Sequence, residues 1–385
     1  MARQYLYRLA MLSQLLHVGP SRSALTPLVL RPAMGLNRIF QFHTQTQQYQ
    51  SHTLLDSIPS FPTAQGLLSQ DTKPTTTENE PQPDSFHFIA YAAWHPKNRN
   101  AKQRQHENRI PYWKQSKVGK VDAGEDAFFH TFTPTGLALG VADGVGGWSE
   151  VGVDPALFSW TLMNNAALVA KDENTVDAHH ILDAAFTQLR KSGKVPAGSS
   201  TACILNLCKR SGKMTTCNLG DSAFLLIRDE KIVYESPSQQ HYFNCPYQLT
   251  VVPDTYPNRE SFVTDTPKDG DQKSFFLKEG DLIILATDGY FDNVYPHETL
   301  ALVNAAMENL VEPTDDEVVA AVRGLAKTLT DTARRMSLDP KRLSPWARDA
   351  RAHGSNYRGG KVDDITCIVT LVRGVQGKKI PEKQA

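Results

Sequence analysis

From Phe86 onward, short dense apolar runs alternate with clusters of Gly, Pro, Asp and Ser. Runs bounded by turn residues and rich in β-branched and aromatic side chains predict strands. Strands are therefore expected at Phe86–Ala93, Ala127–Phe132, Leu137–Ala142, Thr201–Leu207, Lys213–Leu219, Ala223–Arg228, Lys231–Tyr234, Ser274–Leu277, Leu282–Thr287 and Ile365–Val372. Helical spacing of apolar residues predicts helices over Pro155–Ala170, Ala178–Arg190, His297–Met307 and Asp315–Met336. Strands with an apolar face and helices in flanking pairs predict two stacked sheets covered by helices, a four-layer sandwich.

Carboxylates sit where these strands begin or end. Leu137–Ala142 leads into Asp143, Leu282–Thr287 leads into Asp288, Glu125-Asp126 precedes Ala127–Phe132, and Asp363-Asp364 precedes Ile365–Val372. Each pattern has a plainer reading. Asp143-Gly144 reads as a glycine-rich turn, Asp288-Gly289 as a hairpin turn, and the other two pairs as solvated acids. Together they point elsewhere, because a carboxylate is costly to bury without a compensating charge. No Lys or Arg lies within the four motifs. Carboxylates converging from several strand ends would cage hard divalent cations. Two such ions about 4 Å apart activate water against a phosphate ester.

The order GED (Gly124–Asp126), VADGVGGW (Val141–Trp148), GSSTA (198–202), NLGDS (Asn218–Ser222), ATDGYFDN (Ala286–Asn293) and GGKVDDIT (Gly359–Thr366) resembles the metal-dependent Ser/Thr phosphatases of type 2C. The longer blocks, including Gly152–Pro155, Gln239–Asn244 and Arg358–Lys361, are similar to the family's mitochondrial branch. That branch is tied to phosphatase control of ubiquinone biosynthesis and mitochondrial content. The resemblance covers roughly residues 86–373. It implies an α+β fold, a four-layer α-β-β-α sandwich of two antiparallel sheets flanked by helices, with a binuclear metal site between the sheets. It implies two Mg2+ or Mn2+ ions, with a third weak site, and phosphorylated mitochondrial proteins as partners. Asp143 matches the carboxylate that bridges two ions. Glu125, Asp288 and Asp363 match the other carboxylate ligands, and the Gly144 carbonyl a backbone ligand. Asp143 and Asp288 carry catalysis through a metal-activated water, with no side-chain nucleophile. Asp126 matches a residue that holds a metal-bound water. Asp221 and Asp292, with Asp288, match the weaker third site.

Two departures follow from the same resemblance. Val145 stands where many relatives carry a proton-donating His, and Val121 where many carry a phosphate-holding Arg. Lys120, Arg358 and Lys361 are the candidate phosphate-binding substitutes, each also readable as a solvated surface charge. Leaving-group protonation falls to His241 or to a water at the third site.

Acidic and basic residues balance at 41 each, which argues against a nucleic-acid binder. The distribution is uneven. Residues 1–55 contain no Asp or Glu but carry Arg3, Arg8, Arg22, Arg31 and Arg38. Tyr5, Leu9, Leu12 and Leu16 recur at helical spacing beside Arg8. This is the pattern of a mitochondrial presequence, expected over 1–43, with the matrix as destination. An N-terminal arm without a targeting role is the plainer alternative. A Pro-, Gln- and Thr-rich linker is expected over 44–85, the phosphatase domain over 86–373 and a tail over 374–385. No run of eighteen apolar residues occurs, so no transmembrane span is expected. Cys203, Cys208, Cys217, Cys245 and Cys367 form no C-x-x-C pair and read as reduced core residues.

The segments Ser236–Asp271 and Leu338–Lys361 are long for loops and adjoin motif strands, which places them near the acidic site. The leading functional reading is a protein serine/threonine phosphatase. The alternatives are a catalytically weak metal-binding regulator and a hydrolase of small phosphate esters. The regulator reading expects a lost metal carboxylate, whereas Glu125, Asp143, Asp288 and Asp363 are all present.

Overall fold

In the computed structural model the described residues are 84–97, 122–172, 177–254, 256, 259–308 and 314–375. All lie in one compact unit, Glu80–Ala385. The expected presequence, nearly all of the expected linker, Lys120, Val121 and residues 376–385 fall outside the described residues.

Among the described residues, fourteen strands and six α-helices follow one another. The strands are β1 Phe86–His95, β2 Asp126–Thr133, β3 Gly136–Asp143, β4 Gly198–Ser200, β5 Ala202–Cys208, β6 Lys213–Leu219, β7 Ala223–Arg228, β8 Lys231–Glu235, β9 Gln240–Tyr242, β10 Cys245–Pro246, β11 Leu249–Val251, β12 Asp271–Phe276, β13 Leu282–Ala286 and β14 Ile365–Gly374. The helices are α1 Pro155–Asp172, α2 Ala178–Ser192, α3 Asp288–Phe291, α4 Pro296–Met307, α5 Asp315–Ser337 and α6 Pro345–Ala352. Two five-stranded antiparallel sheets form the body, in the orders β1-β14-β13-β7-β8 and β12-β6-β5-β3-β2. The four short strands pair separately, β4 with β11 and β9 with β10.

The apolar clusters show why four layers form. Phe128, Leu139, Val141 and Leu205 of one sheet meet Phe224, Leu226, Ile283 and Ile368 of the other in a shared core. The outer face of the first sheet is covered by Phe158, Leu162, Ile181 and Leu189 of α1 and α2. The outer face of the second is covered by Val318, Val322, Leu325 and Leu329 of α5. Central strands are thus buried on both faces, so Leu137–Ala142 reads as a continuous apolar run rather than an alternating one.

Local chemistry starts the helices. Asp177 caps α2 by accepting from the His179 amide at 3.0 Å. Thr314 and Glu317 form a reciprocal capping box at α5. Helix α6 lies inside a stretch expected to be loop. At eight residues it is too short to show periodicity, although Ser344 followed by Pro345 is a start signal. All five cysteines are free, and all but Cys208 are buried. Among the described residues no helix is long and apolar enough to cross a membrane.

Between β12 and β13 one ion pair locks a turn. Asp281 is fully buried and accepts from Arg228 Nε at 2.7 Å, Arg228 Nη2 at 2.6 Å and the Lys278 amide at 2.8 Å. Asp281→Ala would strand the guanidinium and that amide, costing about 3 kcal/mol. The expected result is a melting temperature roughly 6–12 °C lower by circular dichroism. A shift under roughly 2 °C would show that water replaces the carboxylate without penalty.

Candidate metal centre

Strand register brings the acidic motifs to one end of both sheets. Asp126 at the start of β2 is paired with Asp143 at the end of β3. In the other sheet Ala286 at the end of β13 faces Cys367 near the start of β14. That pairing puts Asp288, two residues beyond β13, beside Asp363, two residues before β14. Asp221 sits on the connection that leaves β6 in one sheet and enters β7 in the other.

Hydroxyls and amides hold this arrangement. Thr287 Oγ1 and Thr366 Oγ1 donate to Asp126 Oδ2 at 2.9 and 2.8 Å, joining the two sheets through one buried carboxylate. Asp364 accepts from the backbone amides of Lys97 at 2.7 Å and Glu125 at 2.9 Å, fixing the loop that carries Glu125. The Asp143 amide donates to Thr201 Oγ1 at 3.0 Å, and the Asp143 carbonyl accepts from Ser200 Oγ at 2.8 Å. Asn293 clamps the last motif, donating to the carbonyls of Gly289 at 2.9 Å and Lys361 at 2.8 Å. Two glycines are needed for close approach. A Cβ on Gly289 would lie 1.8 Å from the Asp364 carbonyl oxygen, and one on Gly144 would lie 2.5 Å from that of Pro155.

The electrostatics differ from the sequence expectation in one respect. Two lysines reach the acids, one from far along the chain. Lys361 Nζ lies 2.6 Å from Asp288 Oδ2, 2.6 Å from Asp292 Oδ2 and 3.1 Å from Asp363 Oδ2. Lys97 Nζ lies 2.7 Å from Glu125 Oε2, 3.2 Å from Asp363 Oδ1 and 3.5 Å from Asp364 Oδ2. Burial works against the charge on each lysine, yet the surrounding carboxylates outweigh it and hold both ammonium groups well above the ordinary lysine range. Burial likewise raises the Asp363 carboxyl, but Lys361 and Lys97 outweigh it and leave it below the usual carboxylate range. Asp292 is pushed up to about 7 by burial, with Lys361 opposing. Asp126, Asp143 and Asp221 have no ammonium contact. Burial, followed by repulsion from neighbouring carboxylates, pushes all three well above the usual range.

Three buried oxygens, Asp126 Oδ1, Asp221 Oδ1 and Asp288 Oδ1, have no hydrogen-bond partner. Buried polar atoms in native proteins are nearly always satisfied. Orphaned oxygens in an all-oxygen cluster fit hard divalent cations such as Mg2+ or Mn2+. Among the described residues no trio of acidic, His or Cys side chains is drawn into a closed ligand shell as it stands. Lys97 and Lys361 stand between the carboxylates.

The structure thus gathers Glu125, Asp126, Asp143, Gly144, Asp221, Asp288, Asp292, Asp363 and Lys361. Arg358 is not among them, since its Nε donates to the Lys341 carbonyl at 2.8 Å on the exposed side of the loop. The His241 ring is engaged with Asp265 at 3.0 Å and stacked on Tyr247. Its neighbour Gln240 places Nε2 3.5 Å from Asp221. The amide of Val145 donates to the Ser199 carbonyl at 3.0 Å, and its side chain has no proton to give. Both long segments do reach the site, through Gln240 and through the Trp346 amide, which donates to the Asp292 carbonyl at 3.1 Å. Sequence reasoning missed Lys97 and gave no role to Thr287, Thr366 or Asp364, although Asp364 lies in one of its acidic pairs. The threonines lie inside quoted motifs, but nothing local marks Lys97.

A family model described as Protein phosphatase 2C matches residues 116–330. A protein phosphatase PTC7 homolog of Homo sapiens is 40% identical over 253 residues, covering 65% of this chain and 79% of the relative. The 5-azacytidine resistance protein azr1 of Schizosaccharomyces pombe is 40% identical over 258 residues, covering 66% of this chain and 83% of the relative. The X-ray structure of the photosystem II phosphatase PBCP superposes with a TM-score of 0.56 at 29% identity, covering 75% of this chain and 100% of that one. The chain belongs to the protein phosphatase 2C family, and its activity is that of a protein phosphatase.

Proposed function

We propose that this protein is a mitochondrial matrix phosphatase that hydrolyses phosphoserine and phosphothreonine in proteins, among them proteins of ubiquinone biosynthesis. The observation that carries the catalytic part is the convergence of carboxylates with three orphaned buried oxygens at one end of the two sheets. Glu125, Asp143, the Gly144 carbonyl, Asp288 and Asp363 are the proposed ligands of two Mg2+ or Mn2+ ions, and Asp221 and Asp292 with Asp288 those of a weaker third. Divalent ions held there would supply an acidified water and positive charge facing the phosphoryl oxygens.

The chain's own residues set the geometry. Asp126, fixed by Thr287 and Thr366, is the proposed acceptor that orients the attacking water. Ser200 and Thr201 pin the Asp143 backbone so that its carboxylate can face both neighbouring acids. Asn293 keeps Asp288 and Asp363 in register by tying Gly289 to Lys361. With Val145 unable to donate a proton and His241 engaged by Asp265, protonation of the departing hydroxyl is assigned to solvent beside Asp221 and Asp292.

The mitochondrial part is supported by residues 1–55, basic and free of Asp and Glu. A fluorescent reporter fused to residues 1–55 is expected to co-localise with mitochondria and to lose a short N-terminal piece on import. Diffuse cytosolic signal would refute the location while leaving the chemistry intact. Phosphopeptides compared between mitochondria with and without the protein would identify the substrates. Unchanged phosphorylation of ubiquinone-pathway proteins would remove them from the proposal.

A further inference from the structure

Three of the four carboxylates proposed as metal ligands already hold a positive charge from the chain itself. Glu125 holds Lys97, Asp288 holds Lys361, and Asp363 lies between them, with Oδ1 on Lys97 at 3.2 Å and Oδ2 on Lys361 at 3.1 Å. Each ammonium also reaches a further acid outside that ligand set, Asp364 for Lys97 and Asp292 for Lys361. Each lysine therefore contacts three carboxylates drawn from two segments that are distant in sequence. Lys97 ties the end of β1 to the start of β2 and the start of β14. Lys361 ties the loop before β14 to α3.

We propose that Lys97 and Lys361 are built-in counter-ions that hold the acidic cluster together without divalent metal, and that metal ions enter by displacing them. This rests on the reading of the cluster as a metal centre, and it assigns the lysines a role in the state that precedes loading. Eight carboxylates, Glu125, Asp126, Asp143, Asp221, Asp288, Asp292, Asp363 and Asp364, crowd one end of the sheets, and like charges at such range repel strongly in a partly buried site. Two ammonium groups relieve part of that repulsion. A hard divalent cation carries twice the charge and takes six or more oxygens, whereas an ammonium offers three donors. Metal therefore outcompetes the lysines when present. The lysines can leave because their side chains keep 27% and 19% exposure and their four-carbon stems are flexible. Asp288 Oδ1 is free for a first metal contact while Oδ2 still holds Lys361. The consequence is a phosphatase that stays folded but idle when divalent metal is scarce.

The test uses the full-length protein stripped of metal, with Lys361→Met and Lys97→Met, which keep an unbranched apolar stem of similar length and remove the charge. Two readouts are taken, the metal-free melting temperature and the Mn2+ dissociation constant by titration calorimetry. Lys361→Met is expected to melt roughly 5–15 °C lower without metal and to bind Mn2+ about tenfold more tightly. Lys97→Met, being more exposed, should show the same signs with smaller size. If Lys361→Met fails to fold without metal, refolding in Mn2+ should recover it, and failure to recover would overturn the proposal. An unchanged metal-free melting temperature with unchanged Mn2+ affinity would also overturn it, as would weaker Mn2+ binding in the variants. Absence of Mn2+ binding by the wild-type chain would overturn the metal reading itself, which separates the two failures.

Discussion

Asp143→Ala is expected to leave a folded domain that turns over a phosphoserine peptide about 10³-fold or more slowly than wild type. Asp143 ends β3 at the centre of the acidic cluster, and its backbone is pinned by Ser200 and Thr201. Its carboxylate has no lysine partner, although Asp126, Asp221, Asp288 and Asp363 surround it. Removing it deletes the ligand proposed to be shared by two ions, and with it both nucleophile activation and charge neutralisation. The fold should survive. An acid whose proton is held well above the usual range by burial and by neighbouring acids is a cost to the metal-free fold, not a support. Metal-free Asp143→Ala should therefore melt at or above the wild-type temperature. A folded variant that keeps the wild-type rate would place the nucleophile elsewhere.

Stripping the enzyme of divalent metal is expected to abolish phosphopeptide hydrolysis, and added Mn2+ or Mg2+ to restore it. The donor set contains no Cys or His, so oxygen-seeking cations fit it better than thiolate-seeking ones. The three orphaned buried oxygens have no hydrogen-bond donor to face. Among the described residues near the site, three conventional nucleophiles are already engaged or buried. Ser200 Oγ donates to the Asp143 carbonyl, Cys203 is fully buried, and the His241 ring is tied to Asp265. The measurement is initial rate against free metal after exhaustive chelation, with circular dichroism on the same samples to separate loss of metal from loss of fold. Full activity in the stripped, folded enzyme would end the metal mechanism.

Much of this was legible because the acids are adjacent in sequence to strands that announce themselves. Leu282–Ala286 is strongly apolar, so Asp288 is marked as a strand-end acid, and the same holds for Asp143 after β3. Errors cluster where a pairing partner, not local pattern, makes the element. Strands β4, β9, β10 and β11 are two or three residues long and exist only because another segment lies alongside. The Ser274–Leu277 strand is observed as Asp271–Phe276, since its ends are set by pairing from Asn218 to Lys213 on β6. Among the three candidate phosphate-binding cations, Lys361 stands in the cluster and Arg358 does not, although only Gly359 and Gly360 separate them. The turn at Gly359, with φ of +124°, and the Asn293 clamp carry the chain inward between those two side chains.

Taken alone, the sequence determined the layer architecture and marked the strand-end acids Glu125, Asp126, Asp143, Asp288 and Asp363 with their oxygen-only donor chemistry, whereas Asp221 and Asp292 came from the family resemblance. The architecture and the strand-end acids depend on residue type and on period along the chain, which the solvent-exclusion of apolar side chains reads directly. Only the tertiary structure decided which charges face one another. Lys97 and Glu125 are 28 residues apart and Lys97 and Asp363 are 266 apart, yet one ammonium touches both. Coulomb energy and desolvation depend on distance in space and on burial, and neither is encoded in the spacing of residues along the chain.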